Sequence, residues 1–511
     1  MGGCVGSCVP LDFPFNCSMT ALPETLLLTP AEMAAADAAA AASGIDTYGL
    51  MEKAGQAVAA SALRHYPQAL RFVVLCGPGN NGGDGYIAAA SLIRAGADTR
   101  VFAIGDAGRL TGDAHRAMEA CPVKPVASSQ LQLGPGDVVI DAIFGAGLAR
   151  PVSAEVEDLI DKVRDAAIPV VAVDLPSGLC GRRGAPLGAA FRAARTVTFM
   201  ARKPGHLLMP GRSLCGDIEV CDIGIPLRIL RRAAGTVAAN HPDAWRHLLP
   251  TPDPASHKYR RGHLGVFSGG ASHTGAARLS AGAGLAAGAG LVTLASPADA
   301  MPVNAAQLTA VMLREVETAA ALTDWLAASK LSAFVLGPGF GVGDKARDFV
   351  LALEGRPLVL DADGITSFRE QRNRLFDIYR ARETQLVLTP HEGEFARLFP
   401  DLVEAEGRSK FEKAVAAARL ANAIIVYKGA DTVIAAPDGR TLINDNAPPW
   451  LATAGSGDVL AGIIGALLAN GMPAFEAAAA AVYLHGEAAC RAGEGMTAES
   501  LVRHIGPLSG R

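Results

Sequence analysis

This sequence predicts an α/β fold in two domains, and three observations carry the prediction. At roughly 150 residues per domain, the 511 residues make two to four domains, each able to bury its own core. Short β-branched runs alternate with helical runs in two separate series, the rhythm of a mainly parallel sheet with helices on both faces. Between the series lies PTPDPASHKYRRG, a polar, proline-rich stretch of the kind that joins domains. Half of the residues are hydrophobic but only 5% are aromatic, so the cores must be built from Ala, Val, Leu and Ile. Disorder along the whole length is excluded.

The elements follow in order. An Ala-rich helix pair, residues 31–42 and 49–64, comes first. The strand RFVVLC then precedes a helix over residues 86–94, TRVFAI a helix over 112–119, DVVIDAIFG a helix after Ser153, and PVVAVDLP closes the series. The rhythm changes after Cys221, so the boundary falls between Asp222 and His257. The second series runs HLGVFSGG, an Ala/Gly helix, LVTLAS, AFVLGPG, PLVLDADG, LVLTP, IIVYKG and TVIAAP, with helices from Gly457 to the end. No repeat period stands out.

A net charge of -4 gives no general pull toward nucleic acid or an anionic membrane, so any phosphate site must be local. The nine cysteines include no CxxC pair and no zinc spacing, which reads as reduced thiols and a cytoplasmic location. The first twenty residues lack Lys, Arg and a continuous apolar core, and so fail as a signal peptide. With Cys4, Cys8 and Cys17 they read as a tail or an over-extended start before Met19. The apolar runs around 281–295 and 459–469 are too short or too rich in Gly and Ala to span a bilayer. The Ala-rich helix over 31–42 suits an interface in a homo-oligomer.

The 57 glycines cluster in two places. In CGPGNNGGDG, after the strand RFVVLC, they let backbone N–H groups approach a phosphate at a helix N-terminus. The plain alternative is a tight turn, which does not need the two amides and the acid of NNGGDG. DAIFGAG and VDLPSG end neighbouring strands, each with an Asp that could equally cap the next turn. Three polar ends on one sheet edge point to a site. NNGGDG, DAIFGAGLARP and VDLPSG, with LTPAEMAAAD and YGLMEKAG ahead of them, resemble the amino-terminal domain of the YjeF family, the NAD(P)H-hydrate epimerases. The resemblance covers residues 28–231 and implies a Rossmann-like α/β/α domain. It implies that Asn80, Asn81, Gly82, Gly83 and Asp84 contact the hydrated dinucleotide, as do Gly145, Ala146, Gly147, Leu148, Ala149, Arg150 and Pro151. Asp174 is implied as the general acid/base, and Asn81, Asp141 and Ser177 as ligands of a potassium ion, an oxygen set that suits a hard cation.

ATAGSGDVLAG repeats the physics, with backbone donors at the start of the helix VLAGIIGALLA. Gly462 and Gly465 inside that helix read more simply as close packing. Asp458 does not: a carboxylate beside an anion site is costly unless it takes a proton, the task of a base in phosphoryl transfer. No GxxxxGK[ST] string exists, which disfavours a P-loop enzyme. AGSGD near the end of an α/β domain resembles the ribokinase-like superfamily. SHKYRRGHLGVFSGG, HTGAARLSA, LGPGFG, LDADG, LTPHEGEFARL and YKGADTVIA narrow this to the carboxy-terminal YjeF domain, the ADP-dependent NAD(P)H-hydrate dehydratases, over residues 238–508. That resemblance implies Ala276, Gly339, His391 and Asp458 at the hydrated nucleotide. It implies Lys428, Gly429, Ala430, Asp431, Thr432 and Gly457 at ADP, with magnesium on the phosphates.

Two residues have plainer readings: His391 as a helix cap, and Lys428 as an exposed lysine at a strand end. His65, His115 and His485 are assigned no role. The glycines divide accordingly. Gly82, Gly83, Gly145 and Gly147 should admit a dinucleotide's phosphates, and Gly337, Gly339, Gly455 and Gly457 should frame phosphoryl transfer. Together the motifs imply an isomerase and lyase acting on NAD(P)H hydrates and ADP. A ribokinase-like small-molecule kinase with a non-catalytic first domain is the alternative, and a binding module for RNA or protein a third reading.

Overall fold

The computed structural model describes residues 23–106, 108, 110–250, 261–380, 385–405 and 407–507. Cys4, Cys8, Cys17 and Met19, most of the proline-rich junction and the chain's last four residues lie outside them.

The first sheet contains β1 (Arg71–Cys76), β2 (Thr99–Ala103), β3 (Val126–Ala127), β4 (Asp137–Ala142), β5 (Val170–Val173), β6 (Arg195–Phe199) and β7 (Asp217–Cys221). All pair in parallel, in the order β3-β2-β1-β4-β5-β6-β7. Its central strands are buried along nearly their whole length, which is why they read as unbroken apolar runs. Buried clusters cover both faces, one built on the helix pair Pro30–Ala42 and Thr47–His65, the other on Ala154–Asp165.

The second sheet contains β8 (Val237–Ala239), β9 (His263–Phe267), β10 (Leu291–Ser296), β11 (Met312–Glu315), β12 (Ala333–Leu336), β13 (Leu358–Leu360), β14 (Leu386–Leu388), β15 (Ile424–Tyr427), β16 (Val433–Ala435) and β17 (Thr441–Ile443). Their order is β11-β10-β9-β12-β13-β14-β15-β16-β17-β8, parallel except where β16 pairs antiparallel with β15 and β17. The first sheet ends before β8, which already belongs to the second. The fully buried Trp245 is held there by Asn240, whose Oδ1 accepts the indole N–H at 3.0 Å.

One helix starts earlier than its sequence suggests. The helix expected over residues 86–94 runs Asn80–Arg94, so NNGGDG is its first turn and a half and not a loop. The glycines there serve packing. A Cβ on Gly82 would stand 1.9 Å from the Gly77 carbonyl oxygen, and one on Gly83 2.6 Å from the Met51 sulfur. Helix propensity is sacrificed so that the helix can lie close against the end of β1. The glycines of VLAGIIGALLA behave as their plainer reading has it: a Cβ on Gly462 would stand 2.1 Å from Ser280 O, where the helices Ser456–Ala469 and Thr274–Ala286 cross.

The described cysteines Cys76, Cys121, Cys180, Cys215, Cys221 and Cys490 are all free. No described helix is long and apolar enough to cross a membrane.

Candidate active sites

After β1 the chain proceeds to β2 and β3, while β4 to β7 extend the sheet on the other side. A crevice opens outside the carboxyl ends of strands at such a reversal. Here it is a cavity of about 750 Å³. Its wall includes Asn80, Asn81 and Asp84 after β1, Gly145, Ala146, Gly147, Leu148, Ala149 and Arg150 after β4, and Asp174 after β5. Gly82, Gly83 and Pro151 are not part of the wall. The N–H of Gly83 donates to Gly79 O at 3.1 Å, and both glycines pack closely against Gly77 and Met51, which shapes the crevice.

Asp174 has φ +67, a left-handed backbone that a non-glycine residue adopts at a cost and that recurs at functional sites. Its Oδ1 accepts from Lys203 Nζ at 2.5 Å and Thr198 Oγ1 at 2.9 Å, and its Oδ2 from the Ala146 N–H at 2.8 Å. Burial pushes the carboxyl up, but the Lys203 ammonium and these hydrogen bonds outweigh it and hold Asp174 below the usual carboxylate range. The Lys203 backbone N–H donates to His206 Nδ1 at 2.9 Å, so the proton sits on Nε2, which donates to Asp174 O at 2.9 Å. Burial and the adjacent Lys203 push His206 down to about 3, so it is a neutral brace. Two other carboxyls in the cavity go the opposite way. Burial and the nearby acids raise Asp84 well above its ordinary value, and burial lifts Asp37 to about 6 against the pull of Lys203. Lys203 was not among the expected residues, because a lone lysine in ARKPG carries no sequence signal.

Beside this cavity, Asp141 accepts from Ser177 Oγ at 2.5 Å and Ser177 N at 2.7 Å, and Phe144 N donates to Ser177 Oγ at 2.8 Å. Burial pushes Asp141 up to about 6, and the groups that oppose it are hydrogen bonds alone, with no cationic side chain. A Cβ on Gly145 would stand 2.8 Å from both Asn81 Oδ1 and Asp174 Oδ2, and Asn81 Nδ2 is buried without a partner. Among the described residues no three His, Cys, Asp or Glu side chains gather as a metal site.

The second sheet reverses in the same way between β9 and β12. Residues after five strands meet at that edge. After β9 and β12, a Cβ on Gly339 would stand 3.4 Å from Ala276 Cβ. After β13 and β15, Lys428 Nζ lies 2.7 Å from Asp361 Oδ1, and a Cβ on Gly457 would stand 3.4 Å from that Nζ. Lys428 is therefore not the exposed lysine of its plainer reading. Burial opposes its charge, but Asp361 and Glu394 outweigh burial and raise it. The helix Ser456–Ala469 begins after Gly455, at φ +84, with no side chain capping its first turn, which leaves N–H donors for an anion. Burial, then repulsion from Asp361, lift Asp458 in that turn to about 6, against the attraction of Lys428. Asp361 was also missed, although it stands at a strand end in LDADG like the acids that were noticed.

His391, after β14, caps the helix Glu392–Leu398. Its Nδ1 accepts from Gly393 N at 2.9 Å and Glu394 N at 3.3 Å, and the Glu394 Oε2 accepts in return from the His391 N–H at 2.8 Å. In the loop after β15, Thr432 Oγ1 donates to Gly429 O at 2.8 Å and accepts from Gly429 N at 3.2 Å. Asp431 is largely buried, and both of its oxygens are already bonded.

Two family models match the chain: one described as YjeF-related protein N-terminus over residues 47–205, the other as NAD(P)H-hydrate dehydratase over residues 264–506. The chain is 35% identical over 482 residues to a bifunctional NAD(P)H-hydrate repair enzyme Nnr of Thermofilum pendens, covering 89% of this chain and 90% of that one. It is 36% identical over 495 residues to the protein of the same name from Moorella thermoacetica, covering 90% and 91%. Among solved structures it is similar to an ADP/ATP-dependent NAD(P)H-hydrate dehydratase from Bacillus subtilis, with 26% identity, a TM-score of 0.45, and coverage of 53% of this chain and 97% of that one.

Proposed function

The chain belongs to the bifunctional NAD(P)H-hydrate repair enzymes, with an epimerase and a dehydratase domain, and we propose that the two crevices divide that repair between them. The first interconverts the R and S hydrates. The second dehydrates the S form with ADP, giving AMP, phosphate and NAD(P)H. The observation that supports this division is a carboxyl tuned in opposite directions in the two crevices, Asp174 lowered by Lys203 and Asp458 raised to about 6 by burial and Asp361.

In the first crevice Asp174 is the acid/base that moves a proton at the hydroxylated ring carbon. Lys203, 2.5 Å away, keeps it ionised between turnovers. Such proton transfer is worth roughly 10² to 10⁴ in rate. The 145–151 loop holds the nucleotide while Asp174 works. The oxygens of Asn81, Asp141 and Ser177 fit a potassium ion, since Asp141 is a buried carboxylate without a cationic partner. That ion would neutralise Asp141 and order the loop whose Phe144 binds Ser177.

In the second crevice Asp458 takes the proton of the substrate hydroxyl as that oxygen attacks the terminal phosphorus of ADP. A carboxyl near 6 suits this role, because it ionises near neutrality yet tolerates a neighbouring phosphate. Lys428 and the helix N-terminus at Gly457 receive the phosphates, while Gly429, Ala430, Asp431 and Thr432 form the loop around the nucleotide. Phosphorylation turns hydroxide, a poor leaving group, into phosphate, a good one. Ala276, Gly339 and His391 face the nicotinamide nucleotide, and magnesium, brought in with ADP, would offset the charge of its phosphates. A soluble homo-oligomer in the cytoplasm completes the reading.

The test is the product balance with pure S hydrate and ADP. AMP, phosphate and reduced nicotinamide in equal amounts support the reading, and a stable phosphorylated alcohol overturns it.

A further inference from the structure

The segment that carries Lys203 does not stop at the first crevice. It runs through the short helix Pro204–Leu207 to Met209 and Arg212, and there it meets the second domain. The Met209 N–H donates to Asp431 Oδ2 at 2.9 Å, and Arg212 Nη1 to Ala430 O at 3.1 Å. Both acceptors lie in the loop after β15. On its other oxygen Asp431 receives Lys410 Nζ at 2.5 Å, and that ammonium also lies 4.8 Å from the centre of the Tyr427 ring. Leu207 and Leu208 join the buried cluster that contains Tyr427, Val433 and Ile443 of the second sheet.

The segment is also fixed from behind. Gly205 N donates to Gly181 O and Gly211 N to Gly184 O, each at 2.7 Å, which ties it to the 180–184 turn. A Cβ on Gly205 would stand 2.7 Å from Cys180 O, so the two stretches are in close contact. That turn carries Arg182, which pairs with Glu412. Glu412 is the acid of the capping box that starts the helix Lys410–Ala421, the source of Lys410.

We propose that residues 203–212 of the first domain are a positioning element for the ADP loop of the second, so that full affinity for ADP is reached only in the fused chain. Asp431 then acts on the nucleotide through the loop backbone, because a first-domain N–H and Lys410 occupy its carboxylate. Arg212 fixes the carbonyl of Ala430, and with it the path of the loop between Gly429 and Thr432. This inference rests on the assignment of that loop to ADP.

Full-length Arg182→Ala/Arg212→Ala protein tests it with pure S hydrate. We expect the KM for ADP to rise about fivefold, the size of losing one exposed hydrogen bond together with a weak surface ion pair, with kcat and epimerisation within twofold. Arg212→Lys in place of Arg212→Ala should recover most of the affinity, since an ammonium can also donate to Ala430 O. A KM within twofold of the parent, or an equal loss of KM, kcat and epimerisation, overturns the inference. Lys428→Ala separates the two levels. If it weakens ADP while the arginine variants do not, the positioning role alone fails. If it leaves ADP unaffected, the loop assignment fails and takes the inference with it.

Discussion

The two crevices sit at the same topological place, the reversal of a parallel sheet, and each contains an aspartate with a lysine nearby. The lysines are used differently. Lys203 donates directly to Asp174 and wins against burial, so that carboxyl is held below its ordinary range. Lys428 is tied to Asp361, whose own charge reaches Asp458 and helps raise it to about 6. An aspartate at the crevice thus stays ionised throughout or titrates near neutrality according to whether the neighbouring lysine has another acid to satisfy.

The most direct way to break this comparison is to remove one carboxylate. Asp458→Asn should lower dehydration by about 10² or more while epimerisation of the hydrates, followed by chromatography, stays unchanged. Removing the lysine should cost less. In Lys203→Met only the hydrogen bonds from Ala146 and Thr198 still oppose burial, so the Asp174 carboxyl rises, and epimerisation at neutral pH should drop roughly tenfold, with the acid limb of its pH profile moved upward. An unmoved acid limb would mean that Lys203 does not set the charge of Asp174.

Acid alone should separate the two activities. Asp458 must be ionised to act, so dehydration should fall about tenfold per pH unit below its value of about 6. Asp174, held low, should keep epimerisation near its plateau over the same range. Parallel decline of both rates would refute the difference in tuning.

How much of this was legible beforehand differs between the sites and their surroundings. Strands announced themselves because burial on both faces makes unbroken apolar runs, as in RFVVLC. Short edge strands such as β3, with both residues exposed, left no such pattern. Aspartates at strand ends stood out by position. Their electrostatic partners did not: Lys203 comes 29 residues after Asp174, and Lys428 67 after Asp361, so only the folded sheet brings them together. The start of the helix Asn80–Arg94 was hidden because its glycines suggest a loop, whereas the backbone of Gly77 requires them.

The smallest effect tests that last point. Gly82→Ala should destabilise the protein by about 1–3 kcal/mol through overpacking, whereas Gly147→Ala, which meets open space, should change the unfolding midpoint little. Equal midpoints would return Gly82 to the role of a flexible loop residue.

The division of labour between the crevices is tested most directly by giving a mixture of R and S hydrates, with ADP, magnesium and potassium, to the parent and to Asp174→Asn protein. The parent should consume both epimers completely. The variant should consume the S form at the parental rate and leave the R form behind. Consumption of both epimers by Asp174→Asn at the parental rate would contradict the assignment of the first crevice.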